Sequence, residues 1–323
     1  MSLREAVLAA LREAGARGVS GELLARELGV SRVAIGKHVK ALKAEGYDIA
    51  AEPGFGYVLL GVVNAPLPAE VAPHLRSTMW SRIEGGGETA STNDDARALA
   101  RSGAEEGTVV LASAQTAGRG RLGREWVSPI GGAYLSAVLR PDVAPSDVAV
   151  LSLVVGLGIV RGLARLGIDA RIKWPNDVLL ARSKVAGVLL EMAAEADAVE
   201  WVVVGIGLNV SRPAEKPVAE NAAYLSDVVE SVRIAPVVAS VLDGVAETYV
   251  VWRDSGFAAL RAEFEAASAL SGAVVIVSDR DGAERASGTV CGVDDEGRLL
   301  VAGEGGVDAV SAGEVTLRAP RQA

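Results

Sequence analysis

Apolar side chains in the first sixty residues recur at the spacing of short amphipathic helices. The first helix places four of them on one face: Leu3, Val7, Leu8 and Leu11. Gly15 to Gly18 breaks this helix, and a second is predicted from Gly21 to Leu28. A third begins after the N-cap residue Ser31 and runs to about Glu45. Its apolar side is predicted to consist of Val33, Ile35, Val39 and Leu42.

A β-hairpin is predicted directly after the third helix. Its strands run from Tyr47 to Ala51 and from Gly56 to Leu60, on either side of the turn sequence Glu52-Pro53-Gly54-Phe55. Three short helices with a glycine-containing turn, followed by such a wing, match the winged helix-turn-helix plan. We therefore predict a winged helix-turn-helix domain over residues 1–63.

The pattern changes twice after this point. Three prolines (Pro66, Pro68 and Pro73) indicate a linker over residues 64–77. Over residues 78–268, strand-like apolar runs alternate with helical patterns, which predicts a mixed α/β domain. The strand-like runs are Thr108 to Ala112, Ala133 to Leu139, Val185 to Leu190 and Trp201 to Ile206. The helical patterns are Asn93 to Arg101, Ser146 to Leu166 and Ile234 to Phe264.

The last segment, residues 269–323, has short strands separated by turn dipeptides. These dipeptides are Asp281-Gly282, Glu296-Gly297 and Gly305-Gly306. Such spacing predicts a small all-β barrel of hairpins. Taken together, the chain is predicted to be an α+β protein of several domains.

The composition indicates a reducing compartment. Cys291 is the one cysteine and cannot form an intramolecular disulfide, and two histidines do not provide a structural zinc site. The longest apolar stretch, Val148 to Val160, has 13 residues, which is short of the roughly 20 that span a bilayer. The N-terminal sequence also lacks the basic-then-apolar order of a secretory signal. We therefore expect a cytoplasmic protein without a membrane span.

The net charge bears on nucleic-acid binding. With 32 basic and 41 acidic side chains, the molecule has a net charge of −9 and as a whole repels nucleic acid. A local basic face is therefore required, and the third helix supplies one with Arg32, Lys37, His38 and Lys40. We expect DNA to dock there. The alternative is a solvated face on a winged-helix module that serves only in packing.

A segment rich in glycine and arginine, Gly118 to Trp126, follows the strand predicted at Thr108 to Ala112. It contains the spacing G-x-G-x-x-G of dinucleotide-binding folds, which would require a helix to begin there. The following sequence, up to the strand-like Tyr134 to Leu139, does not predict a helix. We therefore reject the dinucleotide interpretation and predict a loop.

Three arginines in one loop repel each other unless an anion binds between them. Their neighbouring glycines allow the backbone to approach that anion closely and to present N–H groups to it. Phosphate or carboxylate is the expected ligand. The alternative is an ordinary solvated basic loop.

Two further segments point to the same anion site, and a third could admit a flat ligand. Lys173-Trp174-Pro175-Asn176-Asp177 places a lysine beside a turn, and Asp177 could hold Mg²⁺ together with phosphate oxygens. Lys184 stands at the start of the strand that leads to Glu191, as a point charge suited to a carboxylate or an α-phosphate. Gly205 to Asn209 ends another strand, where small residues admit a flat ligand. Taken singly, each of these signals is weak.

Taken together and in order, these motifs resemble those of the bifunctional biotin protein ligases that also act as biotin operon repressors. The resemblance covers nearly the full chain. It rests on Ser91-Thr92-Asn93, Gln115, Gly118 to Trp126, Lys173 to Asp177, Ser183 to Glu191 and Gly205 to Asn209. It implies a class II synthetase-like catalytic domain at residues 78–268 and an SH3-like barrel at residues 269–323.

The resemblance implies two half-reactions that use ATP, Mg²⁺ and biotin. Biotin and ATP form biotinyl-5′-AMP, and a lysine of a biotin carboxyl carrier protein then accepts the biotin. The implied catalytic residues are Arg121 and Lys184. The implied biotin-binding residues are Ser91, Thr92, Asn93, Gln115, Gly118, Arg119, Gly120, Arg121, Lys184, Gly187, Gly205 and Gly207. The implied ATP-binding residues are Arg121, Arg124, Trp126, Lys173, Asn176, Asp177, Asn209 and Arg318.

The same resemblance implies a biotin-responsive repressor that binds an operator. Helix-turn-helix proteins bind two half-sites as dimers, so we expect a homodimer joined through strands of the central domain. The alternative function is a ligand-sensing DNA-binding repressor whose central domain binds a small anion without turnover.

Overall fold

The computed structural model describes residues 2–52, 54–195, 197–213, 218–219, 221–279 and 281–317. The chain divides into two compact units, residues 1–64 and residues 65–323. Each unit has its own apolar core and is considered by itself.

The first unit has the predicted order of three helices and a hairpin. Its elements are α1 (Leu3–Ala14), α2 (Gly21–Glu27), α3 (Arg32–Ala44), β1 (Asp48–Glu52) and β2 (Gly56–Gly61). Serine side chains cap all three helices, and Ser31 Oγ accepts a hydrogen bond from the Ala34 amide at 3.2 Å. An antiparallel bridge from Val19 to Tyr57 joins β2 to the chain before α2.

One prediction within this unit is wrong. Val33 was expected on the apolar side of α3, yet its side chain is 83% exposed. Ile35, Val39 and Leu42 are buried at the spacing of one helical face, and Val33 lies outside that face.

The second unit is built on a seven-stranded sheet. Its strands are β3 (Arg82–Gly85), β5 (Thr108–Ala112), β7 (Ala133–Leu139), β8 (Ala170–Lys173), β9 (Asp177–Leu180), β10 (Ser183–Glu195) and β11 (Ala198–Leu208). They lie in the order β3-β5-β7-β11-β10-β9-β8, and each neighbouring pair except β3 and β5 is antiparallel. Two short strands, β4 (Glu88–Thr89) and β6 (Ala114–Gln115), form a separate parallel pair.

Five helices accompany this sheet: α4 (Pro68–Val71), α5 (Thr92–Arg101), α6 (Leu151–Ala164), α7 (Ile234–Ser255) and α8 (Ala258–Ala267). The pattern from Ile234 to Phe264, predicted as one helical segment, is divided into two helices at Gly256, which has φ +72°. By length and composition alone, the segments Pro145–Ala164 and Ile234–Ser255 could cross a membrane. Their apolar windows are 67% and 72% buried inside the fold, as in core helices.

Glycines bring α6 and α7 into close contact. A Cβ on Gly158 would lie 2.6 Å from the Val245 Cα, and a Cβ on Gly162 would lie 2.7 Å from the Val241 Cα. The backbones of the two helices therefore touch at positions where only hydrogen fits.

The C-terminal strands are β12 (Val274–Ser278), β13 (Glu284–Val293), β14 (Leu299–Gly303), β15 (Gly306–Val310) and β16 (Glu314–Leu317). They form an antiparallel sheet in the order β15-β14-β13-β12-β16. This sheet shares one apolar core with the seven-stranded sheet, and Trp174 Nε1 donates a hydrogen bond to the Gly297 carbonyl at 3.0 Å. Helix-turn-helix, central α/β region and C-terminal antiparallel sheet thus follow in the predicted order.

The segment predicted as a linker differs from that expectation. Residues 68–74 form α4 and a 3₁₀ turn, and Leu67 and Val71 are buried. The buried Asp243 carboxylate accepts hydrogen bonds from the Arg76 and Ser77 amides at 2.9 to 3.1 Å. The prolines therefore start and shape helical turns that pack on the rest of the second unit.

Candidate functional site

A cavity of about 440 Å³ opens where β10, β11, α5 and the glycine–arginine loop meet. This volume is in the range of small-molecule sites. Among the predicted residues of the ligand site, those that line the cavity are Ser91, Thr92, Asn93, Gln115, Arg119, Gly120, Arg121, Arg124, Trp126, Lys173, Asn176, Asp177, Lys184, Gly187, Gly205, Gly207 and Asn209. Gly118 lies beside it, next to the Trp126 backbone, and Arg318 lies outside the described residues.

Glycines on the two central strands make room for the cavity floor. Gly187 of β10 pairs with Gly207 of β11, and the Trp126 indole lies over both. A Cβ on Gly207 would come within 2.4 Å of Trp126 Nε1, and a Cβ on Gly205 would come within 2.1 Å of Asn93 Oδ1. Side chains from the loop and from α5 therefore reach the sheet only because these positions carry no side chain.

The start of α5 supplies a buried polar corner. The Ser136 hydroxyl lies 2.6 Å from Asn93 Oδ1 and 2.8 Å from Thr92 Oγ1. Gln115 accepts a hydrogen bond from the Thr92 amide at 2.8 Å and donates one to Ser128 Oγ at 2.9 Å. This network fixes the orientation of polar groups that can read a small polar ligand.

The glycine–arginine loop, residues 118–126, folds back on itself. The Gly120 amide donates to the Arg124 carbonyl at 2.8 Å, and the Trp126 amide donates to the Gly118 carbonyl at 2.9 Å. Leu122 and Gly123 at the tip have φ of 61° and 74°. Residues 118–132 are all described and contain a 3₁₀ turn at Arg121–Gly123 but no α-helix, so rejection of the dinucleotide interpretation is confirmed.

The three arginines of the loop have different surroundings. Arg119 donates to both oxygens of Asp94 at 2.8 Å and to Glu191 at 3.3 Å. Arg124 forms an ion pair with Glu314 of β16. Arg121 instead donates to the neutral Asn176 Oδ1 at 3.1 Å and forms no ion pair with any described carboxylate. Burial lowers the pKa of Arg121. Arg121 is thus a partly desolvated cation that attracts Asp177 and Glu314 at a distance and forms an ion pair with neither.

Lys184 is a second cation that, like Arg121, lines the cavity. Its ammonium lies 2.6 Å from Asp177 Oδ1 and 4.9 Å from the centre of the Trp126 ring. The carboxylate and the indole face hold the charge at the start of β10, where the sequence predicted it.

Amide side chains line the cavity near these cations. Asn176 Nδ2 donates to the Val188 carbonyl at 2.8 Å, which orients its oxygen toward Arg121. Asn209 is buried at the end of β11, with its Nδ2 atom 3.4 Å from the Lys184 carbonyl. Lys173 lines the same cavity.

The cavity offers few oxygen donors for Mg²⁺. The described residues contain no group of three or more His, Cys, Asp or Glu side chains that could form a dedicated metal site. Asp177 lines the cavity and its Oδ1 forms an ion pair with the Lys184 ammonium at 2.6 Å, so a metal ion there would share this carboxylate with Lys184. One carboxylate together with substrate phosphates is a usual environment for Mg²⁺. The site therefore fits a magnesium ion that binds with a nucleotide.

The basic face of α3 belongs to the first unit. Arg32, Lys37 and Lys40 are exposed, and His38 is half-buried. The acid at the end of the helix, Glu45, forms an ion pair with Arg4 of α1. Exposed Val33 lies beside Arg32 at the start of this helix, where recognition helices contact base edges.

Sequence reasoning missed three side chains that organise the cavity. Asp94 and Glu314 neutralise loop arginines, and Ser136 orients Asn93. Asp94 could have been found by asking which carboxylate near Asn93 faces the loop. Glu314 and Ser136 give no such signal, because both reach the site only through tertiary contacts.

Fold and site together define the class: a helix-turn-helix unit joined to a small-molecule enzyme core with an anion-binding cavity. Family models agree region by region. The HTH domain model matches residues 3–58, the Biotin/lipoate A/B protein ligase family model matches residues 86–209, and the Biotin protein ligase C terminal domain model matches residues 273–318.

Comparison with known proteins identifies the family within this class. The chain is 32% identical to the Bifunctional ligase/repressor BirA of Bacillus subtilis, over 98% of this chain and 99% of that protein. It is 31% identical to the protein of the same name from Escherichia coli, over 93% and 92%. The fold is similar to that of a biotin protein ligase from Aquifex aeolicus, whose structure was solved in complex with biotin and ATP. The TM-score is 0.64 and the sequence identity 29%, over 73% of this chain and 98% of that chain. The chain belongs to the family of bifunctional biotin ligase/repressors.

Proposed function

We propose that the cavity converts biotin and ATP to biotinyl-5′-AMP and then transfers biotin to a lysine of a biotin carboxyl carrier protein. The observation that carries this proposal is the contrast among the loop arginines. Arg119 and Arg124 form ion pairs with carboxylates, whereas Arg121 donates to the neutral Asn176 in the cavity and forms no ion pair with a described carboxylate. The relatives, named for their ligase activity, identify the reaction.

In the first half-reaction a biotin carboxylate oxygen attacks the α-phosphorus of ATP. The bond from this phosphorus to the bridging oxygen breaks, and pyrophosphate leaves. Two anions must approach each other, and Arg121 and Lys184 would offset their repulsion. Lys173, Asn176 and Asp177 would face the phosphates, and Asn209 the adenine. The Asn93, Gln115 and Gly205 corner would hold the biotin head group.

Mg²⁺ would bind with ATP at Asp177 and shield the charge of the leaving pyrophosphate. The residues Ser91, Thr92, Gly118, Gly120, Gly187 and Gly207 complete the proposed biotin site. Trp126 and Arg124 are proposed on the nucleotide side. Arg119 donates two hydrogen bonds to Asp94 and one to Glu191, so it is assigned to loop structure and not to anion neutralisation.

In the second half-reaction a lysine amine of the carrier protein attacks the carbonyl carbon of the mixed anhydride. AMP leaves, an amide bond forms, and the amine loses a proton. Water competes for the anhydride, so the loop at residues 118–126 must cover the intermediate until the carrier arrives.

Biotin-dependent exchange of labelled pyrophosphate into ATP tests the first half-reaction without the acceptor protein. We expect exchange that requires both biotin and Mg²⁺. Lys184→Ala should lower the rate by about 10²-fold, because a positioned charge at the reacting phosphate is lost. Exchange independent of biotin, or undiminished in Lys184→Ala, would contradict the proposal.

The first unit is proposed to bind operator DNA through Arg32, Lys37, His38 and Lys40, in the cytoplasm and as a homodimer. Two-fold symmetric half-sites favour a dimer.

The edge of β10 is a candidate surface for this dimer. The residues of β10 beyond Gly187 have no strand partner on the β9 side among the described residues, and Met192 there is 47% exposed. Such an edge can pair with a second copy. Sedimentation with and without biotinyl-5′-AMP measures this association.

A second candidate function is a DNA-binding sensor that binds biotin without turnover. The exposed basic face of α3 favours it, because DNA binding by that face requires no catalysis. The exchange assay distinguishes the two candidate functions, because a sensor binds biotin and DNA but does not exchange pyrophosphate.

A further inference from the structure

We propose that Asp94 is a positioning residue that keeps the glycine–arginine loop closed over the site, and thereby sets how long the adenylate is retained. The effect on adenylate retention rests on the proposed ligase function. The restraint on the loop rests only on the contacts that Asp94 makes.

Asp94 belongs to a ring of four alternating charges, Arg119, Asp94, Arg97 and Glu191, which we call the charge ring. Arg119 contacts Asp94 through two hydrogen bonds of 2.8 Å, and Asp94 also pairs with Arg97. Arg97 lies 3.8 Å from Glu191, and Glu191 lies 3.3 Å from Arg119, which closes the ring. A bidentate arginine–carboxylate contact fixes direction as well as distance.

The charge ring joins three elements. Arg119 belongs to the loop, Asp94 and Arg97 to α5, and Glu191 to β10. The contact between Arg119 and Asp94 fixes the loop near its start, because Arg119 is the second residue of the loop. Because the loop pairs with itself from Gly118 to Trp126, fixing Arg119 also restrains the hairpin that carries Arg121.

The ring also reaches the cavity floor. Glu191 accepts a hydrogen bond from Asn93 Nδ2 at 3.1 Å, and Asn93 in turn lies over Gly205 and contacts Ser136. Loop position and the polar corner proposed for the biotin head group are therefore coupled through Glu191. A change at Asp94 should affect ligand retention although Asp94 itself does not line the cavity.

The pairing of Arg119 with Asp94 is between full charges and is partly exposed to solvent. Arg119 lowers the pKa of Asp94, so the carboxylate is ionised at neutral pH. The side chains of Arg119 and Asp94 are 36% and 33% exposed, so salt screens their attraction. Loop opening should therefore accelerate with ionic strength.

The test compares the full-length protein with its Asp94→Asn, Asp94→Glu and Glu263→Gln variants. Asparagine keeps the shape and removes the charge, and glutamate retains the charge. Glu263 pairs with Arg161 on α6 in a similar exposed contact remote from the cavity, so Glu263→Gln is the matched control. One readout is limited trypsin cleavage after Arg121 and Arg124 without ligand, mapped by mass spectrometry. The other is the dissociation rate of biotinyl-5′-AMP at low and high salt.

We expect Asp94→Asn to accelerate both loop cleavage and adenylate release by about 5-fold, as the loss of one partly exposed charged contact implies. The KM for biotin should rise more than kcat falls. Asp94→Glu should recover much of the retention, Glu263→Gln should match wild type, and high salt should accelerate release less in Asp94→Asn than in wild type. Loop cleavage and adenylate release at wild-type rates in Asp94→Asn would overturn the proposal. Wild-type protein without biotin-dependent exchange would instead overturn the ligase function, and the ligand-free cleavage arm would still decide whether Asp94 restrains the loop.

Discussion

Gly207 shows how a missing side chain shapes the cavity at the scale of one residue. The Trp126 indole lies where a Cβ on Gly207 would be, 2.4 Å from Nε1. We expect Gly207→Ala to push the indole away, remove its contact with Lys184 and lower kcat/KM for pyrophosphate exchange by about 10- to 100-fold, since displacement by about 1 Å is costly in catalysis.

The exchange assay measures the loss of activity. A circular dichroism spectrum, which should not change, shows that the variant is still folded. Gly87→Ala is the control: no atom lies within 4 Å of its added Cβ, and its φ is not in the left-handed region. Equal exchange rates in wild type and Gly207→Ala would show that Trp126 does not need its observed position.

Sequence reasoning at this scale found residue types and missed their partners. Three arginines among glycines predicted an anion site, and the cavity gathers them. Which arginine is left for a ligand depended on Asp94 and Glu314, which lie 25 and 190 residues from Arg119 and Arg124 along the chain. Spacing along a chain carries no information about such pairs, so Arg119 and Arg121 could not be distinguished.

At the scale of elements, the contact between α6 and α7 depends on glycines. A Cβ on Gly158 would lie 2.6 Å from the Val245 Cα, so Gly158→Ala must separate the two helices. We expect the second unit to lose about 1–3 kcal/mol of unfolding free energy, the usual cost of overpacking. Chemical denaturation followed by tryptophan fluorescence measures it.

Gly156 in the same helix provides the control. Its added Cβ would meet the Ile172 side chain at an ordinary 3.6 Å. Gly156→Ala should therefore be neutral or stabilising, since alanine favours a helix by about 0.5–1 kcal/mol. Similar losses in the two variants would mean that helix–helix contact is not what Gly158 serves.

The third helix carries a prediction of its own for DNA binding. Lys37 and Lys40 are exposed on α3, and each is expected to contact a phosphate. Lys37→Ala should weaken binding to specific and non-specific DNA alike and reduce the slope of log K against log salt by about 1. Fluorescence anisotropy at several salt concentrations measures both quantities, and pyrophosphate exchange should not change. An unaltered salt slope would remove Lys37 from the interface.

Element types followed from the sequence where the apolar period was regular. The strands Thr108–Ala112 and Ala133–Leu139 were predicted to the residue, because both are buried along their whole length. The strands β10 and β11 extend beyond their predicted apolar runs, since their outer ends are held by pairing with each other. The helix α4 was missed because its prolines indicate a linker by composition, whereas its burial against other elements of the second unit decides its structure.

At the scale of the whole molecule, the order of regions could be predicted, but the core that the central and C-terminal regions share could not. The C-terminal strands were expected to form a separate small domain, yet they share a core with the central sheet, and residues 65–323 form one compact unit. This difference arises from Trp174, Gly297 and the apolar faces between the two sheets, which no local pattern reports. The winged helix, by contrast, is compact by itself at residues 1–64.

This division predicts how function separates when the chain is cut. A protein of residues 65–323 keeps every described residue of the cavity and its whole apolar core, so it should fold and catalyse biotin-dependent pyrophosphate exchange with a kcat within about 2-fold of the full chain. It should not bind operator DNA, because the basic face of α3 is gone. If the shortened protein folds, as judged by circular dichroism, but loses exchange or releases biotinyl-5′-AMP faster, the first unit contributes to the ligase site. Exchange and adenylate retention equal to those of the full chain would instead mean that adenylation is complete within residues 65–323 and that repression uses a separate surface.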